Sequence, residues 1–426
     1  MTTGIFLDAM TPLAGKTLVA LGLADSLIRR ADSVGYFRPV FETDSADTDP
    51  RIRLMRETFD LDESSARGGV SLATCREVLA SGDISELLNI SLSIYSEMSQ
   101  KYDAVIVDGT DLLAHNAATA EFDLNARLAN TMSCSVLAVI SGAEAESVED
   151  IINAVEVTRA ELHAAKTDLL GIVVNRVHPD VAQEVESRIP AGRRGGHVYV
   201  LPETPAISQP TVAEVVHEMG LSADDVSASL DRDIQGVKVA AMTVGNFLEQ
   251  MADGDFVITP ADRSDVVMAT LASAFSPTFP VPSGVLLSGD LHINSATKAL
   301  IGSAPFPILR TSLDTYSAAQ SVGSVHGELR AGAPRKIAAA MGEWSKRVDD
   351  KELLGRLDLP RPATMTPLRF LHELIETARS NRRRVVLPEG EDIRILRAAE
   401  IIVRRNFCDL TILGSDSNVR ELAQSE

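Results

Sequence analysis

The stretch Gly4 to Arg30, GIFLDAMTPLAGKTLVALGLADSLIRR, constrains the rest of the chain most. Ile5, Phe6 and Leu7 form a short apolar run suited to a buried parallel strand. A loop ending Ala14-Gly15-Lys16-Thr17 follows, and from about Leu18 an alanine- and leucine-rich helix. Strand, loop and helix in that order match a phosphate-binding loop, in which backbone N–H groups and the helix N-terminus face an anion. In such a loop Lys16 reaches the outer phosphates and the Thr17 hydroxyl meets Mg²⁺. The full pattern G-x-x-x-x-G-K-[ST] asks for glycine at position 10, where this chain has Met10. A side chain there resists a positive-φ backbone at a cost of about 1–2 kcal/mol. Two readings stay open: a nucleotide site, or a scaffold kept after its site has decayed.

Beyond that opening, short apolar runs alternate with helical patterns as βαβ units do. Val34 to Val40 reads as a second strand, followed by the acidic loop Glu42 to Asp49 and by helical segments broken at the turn Arg67-Gly68-Gly69. Ala104 to Asp108 is a buried strand ending in an acid. Val136 to Ile140, Leu170 to Arg176 and His197 to Leu201 supply further strands. Asp108 either contributes a carboxylate near a metal or caps the turn at Gly109. His115, His163, His178 and His197 show no ligand spacing with one another or with the cysteines, so no metal site is expected from them.

This succession resembles the dethiobiotin-synthetase-like domain of the P-loop family. The resemblance implies phosphate contacts at Gly15, Lys16 and Thr17, metal-side carboxylates at Asp47 and Asp108, and an adenine-reading role for Asn175. As a simple residue after a strand, Asn175 also reads as a turn-former. Met10 departs from the family loop, and Arg38 stands where an FKP-like motif carries lysine.

At 426 residues the chain has room for two or three domains. A net charge of −20 argues against nucleic-acid binding. Cys75, Cys134 and Cys408 lie far apart and show neither CxxC spacing nor the density of a disulfide framework. With no basic-then-apolar leader and no apolar run long enough for a bilayer, the chain reads as cytoplasmic, without a membrane partner.

A smaller α/β pattern resumes at Val237 to Ala241 and runs through strands at Asp255 to Thr259, Gly284 to Leu287 and Phe306 to Arg310. Ser264 or Asp265 is the expected N-cap of the helix that opens there. The run Val257 to Val266, with Asp262-Arg263-Ser264, resembles the domain named for a DRTGG motif. Asp262 and Arg263 read as turn-and-cap residues or as ligand contacts. Leu359-Pro360-Arg361-Pro362 marks a linker, and a helix is expected over Leu368 to Ser380.

The last stretch, RRVVLPEGEDIRILRAAEIIVRRNFCDLTILG, resembles the opening of the phosphate acetyl/butyryltransferase domain. With the two earlier units, the order resembles the long, multidomain bacterial phosphate acetyltransferases along essentially the whole chain. The expected fold is therefore α/β: a P-loop-type, mostly parallel sheet domain over 1–222 and a smaller DRTGG-like domain over 223–345. A linker over 346–365 leads to a truncated third α/β segment over 366–426.

The resemblance implies interconversion of acetyl-CoA plus phosphate with CoA plus acetyl phosphate, in a homo-oligomer that requires no cofactor. In that family an aspartate base forms the CoA thiolate while serine and arginine hold the phosphate and developing charge. Those residues are expected beyond Glu426, so no catalytic residue is assigned and the chain alone is expected to lack turnover. Glu389 and Gly390, at the end of that domain's first strand, read as turn residues. Two alternatives are a nucleotide- or metabolite-sensing assembly module, with ATP/Mg as effector in the first domain, and an ATP-dependent ligase like dethiobiotin synthetase.

Overall fold

The computed structural model describes residues 3–11, 13–111, 118–189, 196–222, 228–355, 357, 374, 377–378, 381–405, 408–415 and 418–419. The proline-punctuated linker and most of the helix expected over Leu368 to Ser380 lie outside the described residues. The chain divides into two compact units: residues 1–175, 183–200 and 348–426 form one, and 176–182 with 201–347 the other.

The first sheet is assembled from β1 (Thr3–Ala9), β2 (Val34–Phe41), β3 (Ala66–Ser71), β4 (Ala104–Asp108), β5 (Ser135–Ser141), β6 (Asp168–Val177) and β7 (His197–Pro202). Between them run helices α1 (Lys16–Ile28), α2 (Pro50–Phe59), α3 (Leu72–Ser81), α4 (Ser85–Ser99), α5 (Ala118–Met132), α6 (Val148–Ala164) and α7 (Pro179–Arg188). The strand order is β3-β2-β4-β1-β5-β6-β7, with the pairs from β3 to β6 parallel. Strands covered on both faces must be apolar throughout, and Ile5, Phe6, Leu7, Val105, Ile106, Val107 and Val136–Ile140 are all buried. β1 lies between β4 and β5, where the winding direction reverses, so its carboxyl end opens on the crevice where such sheets bind ligands.

One element departs from the sequence reading. Arg67-Gly68-Gly69 is no turn between helices but the middle of strand β3, paired with β2. The glycines are there because the strands approach closely: a Cβ on Gly69 would stand 2.4 Å from the Pro39 carbonyl oxygen, and one on Gly68 2.7 Å from Phe41. Glycine's weak strand propensity hides that close approach from the sequence.

The second unit contains α8 (Pro205–Ser208), α9 (Val212–Glu218), β8 (Gly236–Val239), α10 (Val244–Gln250), β9 (Asp255–Pro260), α11 (Ser264–Ser273), β10 (Gly284–Ser288), α12 (Ser295–Ile301), β11 (Ile308–Thr311), α13 (Thr315–Gly323) and α14 (Pro334–Arg347). Its four strands lie in the order β11-β10-β9-β8, all parallel. Phe247, Val266, Val267 and Leu271 pack one face, and Val212, Val215, Ala318 and Val322 the other. The N-cap of α11 is Arg263, not Ser264 or Asp265; the Asp265 carboxylate instead takes the Arg263 guanidinium at 2.9 and 3.0 Å.

A short helix, α15 (Asp350–Gly355), precedes the last segment, whose β12 (Arg384–Leu387) and β13 (Asp409–Ile412) pair in parallel around α16 (Ile393–Arg405). Val386 and Leu413 are each 50% exposed, so this pair leaves apolar surface uncovered. Among the described residues no helix is long and apolar enough to cross a membrane.

Candidate functional site

The phosphate-type loop lies at the carboxyl end of β1. Met10 does not take the positive φ expected of that position. Its N–H donates to the Val139 carbonyl at 2.9 Å, so the chain leaves β1 still bonded to β5. The left-handed residues are Leu13, at φ 52°, and Gly15, at φ 74°, immediately before α1. Glycine tolerates that conformation freely; the strain expected at Met10 falls on Leu13. Asn175 donates from Nδ2 to the carbonyl of Ala14 at 2.9 Å and, more loosely, to that of Gly15 at 3.5 Å. Its side chain therefore reaches the loop backbone from β6.

Lys16 is 2% exposed, and its ammonium is engaged inside the protein. It donates to the Gly109 carbonyl and lies 2.8 Å from Asp108 Oδ1 and 3.7 Å from Asp111 Oδ1. Asp108 also receives the Tyr36 hydroxyl at 2.5 Å, with Arg51 3.6 Å away. Arg51 clasps Asp111 through two bonds of 2.9 and 2.6 Å. Arg38, wholly buried, gives its guanidinium to Asp49 at 3.1 Å and to the Val40 carbonyl at 3.1 Å. Asp49 in turn caps α2 by accepting the Arg51 and Ile52 N–H groups. Three cations thus stand against three carboxylates at the ends of β1, β2 and β4.

Burial alone would raise the Asp108 and Asp111 carboxyls. Lys16 and Arg51, the nearest positive charges, hold both below the ordinary range instead, Asp108 well below it. Burial would likewise weaken the Arg51 guanidinium, but Asp111 and Asp108 outweigh it and raise its pKa. Burial and the Asp108 charge push the Tyr36 phenol well up. Asp8 behaves differently. Burial lifts its carboxyl to about 7, against the lowering pull of Lys16 and of the Asn125 amide that donates to it at 2.7 Å.

The structure therefore brings Gly15, Lys16, Thr17, Asp108 and Asn175 into one region, with Lys16 and Asp108 in direct contact. It does not bring in Asp47, whose carboxylate pairs at 2.8 Å with Arg56 on the exposed side of α2. Reading the sequence missed Asp8, Tyr36, Asp49, Arg51 and Asp111. The acid at the end of β1 and the second acid three positions after Asp108 were the visible signals. Arg51 had none, because its partners are set by folding alone. As arranged, Lys16 and Arg51 already direct donors at internal carboxylates.

A phosphate-loop-type unit, a second parallel α/β unit and a further strand–helix–strand segment define the class. Residues 3–211 match the AAA domain family, 220–325 the DRTGG domain, and 369–426 the phosphate acetyl/butaryl transferase family. The chain is 34% identical to the phosphate acetyltransferase of Nitratidesulfovibrio vulgaris over 98% of its own length and 61% of that protein. It is 28% identical to that of Synechocystis sp., over 97% and 60% respectively. Along nearly its whole length the chain is similar to multidomain phosphate acetyltransferases, and it spans about three-fifths of the length of these curated relatives. Among solved structures, the septum site-determining protein MinD complexed with Mg-ADP, from Pyrococcus horikoshii, is similar at a TM-score of 0.29 and 16% identity, over 49% of this chain and 84% of that one. A likeness that distant carries no functional argument.

Proposed function

We propose that the whole protein interconverts acetyl-CoA plus phosphate with CoA plus acetyl phosphate. The present chain would supply its regulatory and assembly part. The observation that carries this reading is the order of three family matches within one chain that aligns over 98% of its length with an acetyltransferase relative. We divide it into a P-loop-type domain over 1–222, a DRTGG domain over 223–345, a linker over 346–365 and the start of the transferase domain over 366–426. The aspartate, serine and arginine of the chemistry lie outside these residues, and the reaction requires no added cofactor. The protein is read as a cytoplasmic homo-oligomer acting on small molecules. Acetyl-CoA formation from acetyl phosphate and CoA by protein purified from its source cells is the direct assay. Turnover is expected there and none above background for chain 1–426 alone. A native protein without turnover overturns the activity, and an active 1–426 overturns the division of labour.

A second reading concerns the first domain as an effector site for ATP with Mg²⁺, held by Gly15, Lys16 and Thr17 with Asp108 on the metal side. The left-handed Gly15 leading directly into α1 at Lys16 supports it. Asn175 belongs to this reading through the loop it bonds, whereas Asp47 would have to leave Arg56. Equilibrium binding of Mg–ATP, with circular dichroism to establish folding, provides the test. Lys16→Ala is expected to weaken binding at least tenfold, as loss of a charge-assisted contact does. Equal affinity in the folded variant removes the phosphate-loop role.

A further inference from the structure

The loop before α1 is tied at both ends to strand termini of the same unit. At its start the Met10 N–H donates to the Val139 carbonyl at 2.9 Å, and the Thr11 hydroxyl accepts the Ser141 N–H at 2.8 Å, both partners lying on β5. At its end stands Asn175 on β6, 3% exposed, whose own carbonyl accepts the Gly142 N–H at 2.7 Å. Asn175 Nδ2 donates to the Ala14 carbonyl at 2.9 Å and to the Gly15 carbonyl at 3.5 Å. Both partners can only accept, so the nitrogen of this amide has to face the loop. A peptide unit is planar and trans, with its C=O and N–H pointing opposite ways. Drawing the Ala14 and Gly15 carbonyls toward β6 therefore aims the Gly15 and Lys16 N–H groups away from it. Those are the N–H groups that a phosphate-type loop offers to an anion.

We propose that Asn175 is a positioning residue: it orients the loop's donor N–H groups from β6 and does not read a base. For its ligand this rests on the effector-site reading above, and it assigns the selectivity of that site to the phosphate chain. An amide that reads adenine turns its nitrogen to the ring. Here the nitrogen is committed to two loop carbonyls, and Ala14 is only 2% exposed, so turning away would leave a buried acceptor without this donor. The role expected of Asn175 from the resemblance is thereby replaced by one that acts through Gly15 and Lys16.

Two variants test this against wild-type chain 1–426, with circular dichroism to establish folding: Asn175→Leu, which keeps the approximate shape and removes the donor, and Asn175→Ala. Hydrogen exchange is the first readout. The Leu18 N–H, bonded to the Gly15 carbonyl at 3.0 Å, is expected to exchange about threefold faster or more in both variants. Amides of β1 and β4 should keep their wild-type rates. Unchanged exchange at Leu18 overturns the proposal, and so does a rise shared by β1 and β4, which marks an ordinary core residue. Equilibrium binding of Mg–ATP, Mg–GTP and Mg–tripolyphosphate is the second readout. All three are expected to weaken by one common factor, about threefold to tenfold. A loss confined to Mg–ATP, with tripolyphosphate unmoved, overturns the proposal in favour of an adenine reader. A wild-type chain that binds none of the three removes the effector site, and the loop-orienting role is then decided by the exchange at Leu18.

Discussion

Asp8 departs far from the chemistry of its type. A carboxyl ordinarily near 3.8 is lifted to about 7 because its place at the end of β1 is dry, and neither Lys16 nor Asn125 offsets the lost hydration. The folded pKa exceeds the unfolded one, so the folded state binds the extra proton. Its contribution to stability is full below about 3.8 and is lost as the pH climbs through about 7. Asp8→Asn keeps an acceptor for Asn125 and removes the titration. Relative to wild type, this variant is expected to gain stability from pH 4 to pH 8, by an amount on the order of 4 kcal/mol. Urea unfolding of both proteins across that range gives the answer. A difference that stays flat with pH would sink the assignment. Its place at the end of an apolar strand is visible in the sequence, but Asn125, which donates to it, lies 117 positions away.

At the scale of elements, the second unit depends on a buried ion pair joining α9 to α14. Lys336 Nζ donates to both Glu214 oxygens at 2.9 and 2.8 Å and to the Gln209 carbonyl at 2.8 Å. Glu214 also closes a capping box with Thr211 at the start of α9 and accepts the Glu328 N–H at 3.0 Å. Lys336→Met leaves that carboxylate buried without its cation and is expected to cost about 3–5 kcal/mol. Adding Glu214→Gln should recover part of the loss, because no bare charge then remains. Thermal melts of the two variants would contradict this if the single change were silent. Thr211-Val212-Ala213-Glu214 has the spacing of a capping box, but nothing in the local sequence points to Lys336 as the partner. Strand β3 shows the converse. Its glycines read as a turn, and only the closeness of Pro39 and Phe41 reveals why glycine is required in a strand.

Across the whole molecule, apolar runs and their alternation with helical stretches carried the α/β class, the first sheet's principal strands and the order of three units. Those features are local, and burial on both faces of a parallel strand demands an uninterrupted apolar run whatever the partner strand. The same local reading located the loop before α1 and Asp108 at the end of β4. Tertiary structure alone decided how that loop is used. It moved the left-handed strain from Met10 to Leu13, turned Lys16 inward onto Asp108 and Gly109, and committed Arg38 to the cap of α2. It also returned the chain from residue 348 onward to the first unit, after the second unit had intervened. Charge pairing depends on distances across many tens of residues, and desolvation depends on what finally surrounds each group. Neither quantity exists until the chain has closed on itself.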